Sequence, residues 1–179
     1  MPNYRRPRVA GARWFFTVAL QQRGSDLLVR EIDALRNAVA ATRASRPFEI
    51  EAMVVLPDHW HAVWALPVGD DDFSTRIGAI KARFTRAVRA VGWNPTLPRS
   101  SSKIRKGEAG VWQRRFWEHL IRDEADWRRH VAYCWANPQK HGFVTRAVDW
   151  PHSSIHRDIR RGLVPCAWQA VSPDGEFGE

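Results

Sequence analysis

The chain is poor in the residues that would tie it together covalently. Of its 179 residues only two are cysteine, Cys134 and Cys166, and they form no CxxC or zinc-type spacing. That excludes a disulfide framework and a thiolate metal cluster, and a reducing, cytoplasmic setting is expected. No apolar run approaches the roughly 20 residues of a membrane span, so no membrane partner is expected. The start MPNYRRPRVAGAR lacks the apolar stretch of a secretory signal. Tyrosine is scarce too: Tyr4 and Tyr133 stand beside ten tryptophans and eight phenylalanines. Acidic residues are outnumbered 19 to 28, for a net charge of +9.

The excess charge has one chemical form. Arginine supplies 24 of the 28 basic residues, and its planar fork grips phosphate bidentately and stacks on bases. A nucleic-acid partner suits that balance; a GC-rich genome would raise arginine as well. The 44% hydrophobic content is enough for one packed domain. The tryptophans fit either its core or surface platforms.

Periodicity orders the chain. A basic arm, residues 1–12, carries Arg5, Arg6 and Arg8. RWFFTVALQ reads as a strand, and Asp26 as the cap of a helix to about Ala44 with Leu28, Ile32, Leu35 and Val39 at helical spacing. In FEIEAMVVL, Phe48, Ile50, Ala52 and Val54 alternate with Glu49, Glu51 and Met53, as in a strand with one buried face. Pro57-Asp58 turns into HWHAVWAL, whose apolar face is Trp60, Ala62, Trp64 and Leu66. A helix from about Ser74 to Val91 buries Ile77, Ile80, Phe84, Val88 and Val91 and exposes Arg83, Arg86 and Arg89. The stretch 92–110 reads as a mobile loop and VWQRRFWEHLI as a strand. Asp123 caps a third helix that ends at Asn137-Pro138, with Gly142 as the turn residue beyond. The sum is an α+β fold of the ferredoxin-like or RRM-like kind. Helices cover one face of an antiparallel sheet, and the other face, open, carries the histidines. Residues 13–157 form this domain. Residues 158–179 are a tail, basic at first and disordered from Val171.

His59 and His61 are one residue apart, so on a strand they share a face. Tyr133 and Asn137 are four apart and share a helical face. Were those faces to meet, two imidazoles, an amide oxygen and a phenol would gather, a donor set suited to Mg²⁺ or Mn²⁺ with the phenol as nucleophile. An unperturbed tyrosine titrates near pH 10, so the site has to activate it. Each part has a plainer reading: a polar sheet face, a core tyrosine, a helix-ending Asn-Pro. His119 and Glu118 could lie near the site or be structural. His130, one turn before Tyr133, could orient the phenol or only pack. Lys140 and His141 could hold phosphate or end a helix in solvent. The arginines of the arm, of the second helix and Arg114-Arg115 make the expected DNA-binding surface, and Trp150 with PHSS packs the tail or touches DNA.

The runs VVLPDHWHAVW, IKARFTRAV, VWQRRFWEHLIRDEADWRRHVAYCWANPQKHGFV and DWPHSS, in that order, resemble the single-tyrosine HUH transposases, and more narrowly the REP-associated tyrosine transposases. HUH here is His59-Trp60-His61. The resemblance implies metal-dependent cleavage and rejoining of single-stranded DNA at hairpin-forming repetitive extragenic palindromes. His59 and His61 would hold the metal, and Tyr133 would form a 5′-phosphotyrosine link with a free 3′-OH. Asn137 stands where insertion-sequence relatives carry a glutamine ligand. Such relatives include dimers that exchange tyrosine helices, so monomer and homodimer both stay open. A non-catalytic hairpin-binding module would need neither Tyr133 nor the histidine pair. A zinc hydrolase would want a third histidine or a carboxylate at the metal and would ignore the tyrosine.

Overall fold

A computed structural model of the chain describes residues 7–94, 101–105 and 109–169. Arg5, Arg6 and the tail beyond 169 lie outside them, as does the disorder expected there. Four strands, β1 (Arg13–Ala19), β2 (Glu49–Val55), β3 (His59–Ala65) and β4 (Trp117–Leu120), form an antiparallel sheet in the order β2-β3-β1-β4. This is two interleaved split βαβ units, the ferredoxin-like arrangement. The helices are α1 (Leu27–Arg30), α2 (Ile32–Ser45), α3 (Phe73–Ala90), α4 (Ser101–Arg105), α5 (Glu124–Lys140) and α6 (Ile155–Arg160).

One core lies between the sheet and α2–α3. Trp14, Phe16 and Val18 of β1 and Trp60, Ala62 and Trp64 of β3 meet Leu35, Ile77, Ile80 and Phe84 there, all buried. The three tryptophans of β1 and β3 are fully buried, so they are core residues. The second face is not open. Phe15, Val54 and Val63 pack under Val131, Tyr133, Cys134 and Trp135 of α5 in a second core, joined by Ile155 of α6. The third helix thus covers the face on which the histidines lie.

Several sequence expectations fail for local reasons. The clean alternation of β2 breaks at a bulge between Ile50 and Ala52. Phe48, Ile50 and Met53 therefore join the α2–α3 core, whereas Ala52 and Val54 join the α5 core. Extra residues in one strand invert the facing beyond them. Arg157 donates to the Ile50 and Glu51 carbonyls at that bulge, 2.6 Å each. Asp26 makes no side-chain cap; its carboxylate accepts from Arg30 instead, and the first helix breaks at Glu31. Val91 is 72% exposed, beyond the end of α3. The run from Val111 is regular strand only over Trp117–Leu120, and α4 occupies part of the expected loop. α5 runs through Pro138 to Lys140. Proline sits in its last turn, where Gly142, at φ +72°, closes the end with Phe143 N–H on the Pro138 carbonyl and its own N–H on Gln139.

Edge strand β2 is covered by the DWPHSS segment. Val55 N–H donates to His152, Ser154 N–H donates to Met53, and Trp135 and Met53 N–H both donate to Ser154 Oγ. That motif therefore packs the chain end onto the sheet, as one of its two readings had it. α6 spans the 157/158 boundary, and Trp168 meets Trp135 edge-on at 5.6 Å.

The N-terminal end of α5 is fixed by Asp126, which is 1% exposed. Its carboxylate accepts from the side chain and N–H of Arg122, from His119 and from Arg129, at 2.9–3.1 Å. Burial pushes its pKa up, but these donors more than offset that and hold it well below the usual carboxylate range. A depressed folded pKa contributes stability that is complete above the unfolded value near pH 4 and is lost as pH falls through the folded value. Asp126→Asn should accordingly destabilise the protein at pH 7 by about 3 kcal/mol, roughly 10 °C in melting temperature. The gap between wild type and variant should hold from neutral pH to about 4 and narrow only in stronger acid, as thermal melts followed by circular dichroism would record.

Candidate active site

Pairing in the sheet sets the site. Antiparallel register puts His61 opposite Thr17 and His59 opposite Ala19, and the period of two sends both imidazoles to the α5 face. There His59 is 3% and His61 0% exposed, with ring centroids 4.9 Å apart and planes nearly perpendicular. Each ring is held at Nδ1. His59 Nδ1 donates to Asp58 at 2.6 Å, and His61 Nδ1 lies 2.9 Å from Thr17 Oγ1. Asp58 is itself fixed by the Gly24 N–H at 2.7 Å and by Arg23 at 3.4 Å. Burial pushes its pKa up, and the hydrogen bonds from His59 and Gly24 more than reverse that, so its carboxyl is held below the ordinary value. An ionised acceptor on Nδ1 fixes the tautomer of His59 and turns a lone pair outward at Nε2. His59 Nε2 is buried and makes no hydrogen bond. A bare imidazole nitrogen inside a protein is costly unless something takes its lone pair.

α5 brings the remaining groups. The Tyr133 ring stands edge-on to His61 at 5.2 Å, and the His141 ring edge-on to His59 at 5.3 Å. Asn137, midway between them in sequence and 0% exposed, is on the same helix. Tyr133 is 2% exposed; Lys140 Nζ donates to its hydroxyl at 3.4 Å and lies 5.0 Å from its ring centre. The donor set of two imidazoles, the Asn137 amide and a nearby third imidazole fits a divalent cation of the oxygen- and nitrogen-loving kind.

His119 and His130 lie one layer behind. Their rings stack at 4.5 Å, and Phe15 separates them from the phenol, 4.8 Å from His130 and 5.8 Å from Tyr133. With Asp126 they are three metal-capable residues within 4.8 Å. The Asp126 carboxylate, however, already carries two guanidiniums, and His130 Nδ1 donates to the Asp126 carbonyl at 2.8 Å. Burial lowers the His130 pKa, keeping the ring neutral. This cluster is an ion-pair anchor for α5, not a cation site. Glu118 faces the other way, being paired with Phe16 on the α2–α3 side of the sheet.

The expected DNA-binding residues are spread over several places. Lys140 and His141 are at the site itself. Arg86 and Arg114 line a cavity of about 690 Å³ between α3 and residues 109–114, together with Lys81 and Arg89. Arg115 lines another of about 440 Å³ beside His59. Arg83 is half-buried on α3 and Arg8 exposed. The sequence reading missed Asp58, Thr17 and Arg23. Asp58 adjoins the pair and had been given only a turn. Thr17 reaches His61 from 44 residues away.

A relative from Escherichia coli K12 named REP-associated tyrosine transposase is 45% identical over 179 residues, covering all of this chain and 98% of its own length. The chain belongs to the REP-associated tyrosine transposases. A relative of the same family name from Haemophilus influenzae is 43% identical over 170 residues, covering 94% of this chain and 93% of itself. The solved structure of a REP-associated tyrosine transposase bound to a REP hairpin superposes with a TM-score of 0.86 at 45% identity, covering 100% of this chain and 98% of that one. No family model matches the chain. Membership makes the chain one of a family of enzymes that act on DNA, and no helix among the described residues is long and apolar enough to cross a membrane.

Because Asp58 sets the tautomer of His59, Asp58→Asn should weaken Mn²⁺ binding by about 10- to 100-fold while leaving the circular dichroism spectrum unchanged. Calorimetric titration of wild type and variant would measure it, and equal affinities would detach Asp58 from the metal.

Proposed function

We propose that the protein cleaves and rejoins single-stranded DNA beside a hairpin, with Tyr133 as nucleophile. The observation that carries this reading is the juxtaposition of the Tyr133 ring with His61, on a face where His59 and His141 also meet. The relative solved with a REP hairpin supports a repetitive, palindromic DNA as the substrate, which puts the work in the cytoplasm, where the DNA is. His59, His61 and Asn137 would hold a divalent cation, Mg²⁺ or Mn²⁺, which when bound supplies a Lewis acid for the phosphate oxygens.

The chain's own groups do the rest. The Tyr133 oxygen forms a bond to phosphorus as the bond from phosphorus to the 3′ oxygen breaks, giving a 5′-phosphotyrosine and a free 3′-OH. The phenol loses one proton and the departing 3′ oxygen gains one, so the exchange balances and is reversible, as rejoining requires. Lys140, an ammonium beside the phenol, stabilises the charge that develops on its oxygen. Phe15, packed edge-on against the Tyr133 ring, holds it in place. Arg86, Arg89, Lys81 and Arg114 around the larger cavity suit the phosphates of a hairpin stem, with Arg83 and the arm residues Arg5, Arg6 and Arg8 extending the basic surface.

Labelled hairpin DNA with single-stranded flanks, incubated with Mn²⁺, Mg²⁺ or EDTA and run on a denaturing gel, tests the reading. A metal-dependent covalent band should form, vanish in Tyr133→Phe, and weaken by up to about 100-fold in Lys140→Ala. Salt-sensitive binding without any covalent band would favour a hairpin-binding module instead.

A further inference from the structure

The two cavities on the basic side share one residue. Gln113 lines both, Arg114 lines only the larger, and Arg115 lines only the smaller. The ridge Gln113–Arg115 thus stands between a basic trough against α3 and a pocket that opens on the metal-binding face of the sheet. The smaller pocket has Ala19 and His59 as floor, Trp117 and Phe116 as aromatic wall, and Arg23 and Arg115 at its sides. No α5 residue lines it, so it stays open where the rest of that face is covered. Its floor is the imidazole that Asp58 orients, and Arg23 reaches that same carboxylate at 3.4 Å. An aromatic wall flanked by guanidiniums is the chemistry that takes an unpaired base and its phosphate. Duplex DNA hides its base faces and could not use it. A glutamine at the mouth can read a base edge through paired donor and acceptor atoms.

Building on the cleavage reading, we propose that this pocket receives the unpaired nucleotide joined to the scissile phosphate. Its base packs against Trp117, its phosphate lies between Arg23 and Arg115, and its edge is read by Gln113. The ridge then acts as a divider. A stem too wide for the pocket rests on the α3 side with Arg114, and the strand leaving it passes Gln113 to reach His59. The protein would select a cleavage position by its distance from the stem and by the identity of one base, independently of the stem's sequence.

The test uses the full chain with Mn²⁺ and a hairpin library whose flanks on both sides are randomised, with covalent adducts recovered from a denaturing gel and sequenced. Wild type should show a base preference at the nucleotide adjoining the cut, and Gln113→Ala should flatten it there while other positions keep theirs. An abasic site at that nucleotide should lower adduct yield about tenfold in wild type and add nothing to the loss in Trp117→Leu. Gln113 is exposed and outside both cores, so its variant tests the pocket even if Trp117→Leu folds poorly. A preference that survives Gln113→Ala unchanged, with equal abasic penalties in wild type and Trp117→Leu, overturns the pocket and leaves the cleavage reading standing. Absence of any adduct from the whole library overturns the cleavage reading, and the pocket with it.

Discussion

Everything at the site depends on one packing decision: α5 lies across the face of the sheet that carries the histidines. A strand pair alone would leave His59 and His61 as wet polar residues. Covered by Tyr133, Val131 and Cys134, the same two side chains become buried rings in an apolar layer with Phe15, Val54 and Val63. Burial is unfavourable for a polar group without partners. The structure answers it at Nδ1, with Asp58 for one ring and Thr17 for the other, and at His59 leaves a bare Nε2. That buried nitrogen, without a protein partner, is what supports a cation there.

The covering helix is held at its start by charge and at its end by a backbone closure. Asp126, at its start, gathers Arg122, Arg129 and His119, while Glu51 on β2 accepts from Trp127 and Arg13. At its end the Gly142 closure stops the helix where His141 meets His59. Between these anchors Val131, Cys134 and Trp135 pack in the apolar layer that holds Tyr133 in place. Tyr133, the proposed nucleophile, is 2% exposed and closely packed where it stands. Its neighbour Lys140, exposed, is in hydrogen-bond contact with it.

How much of this the sequence disclosed follows from the range of each interaction. The HxH pair, the Trp60–Trp64 face and the i, i+4 relation of Tyr133 and Asn137 are local periodicities, and they read correctly. The β2 bulge did not, since FEIEAMVVL alternates well enough to hide a register shift that only pairing with β3 reveals. Pro138 signalled a helix end two residues early: its missing N–H removes a single helical hydrogen bond, and the helix runs on to Lys140 before the Gly142 closure ends it. Thr17 on His61 and Arg157 on the bulge were out of reach, being 44 and more than 100 residues from their partners. Family resemblance supplied the roles of Tyr133 and the histidines; it was silent on Asp58, which emerges only from its 2.6 Å contact.

What most needs testing is whether His59 and His61 together hold a cation beside Tyr133. Electron spin-echo envelope modulation of Mn²⁺ bound to the full chain tests it directly, because nitrogen nuclei of coordinated imidazoles modulate the echo. Modulation should come from two imidazole nitrogens in wild type, one in His59→Ala and one in His61→Ala, with His130→Ala unchanged from wild type. Two-nitrogen modulation that persists in the His59 and His61 variants but falls in His130→Ala would place the metal in the Asp126 cluster instead.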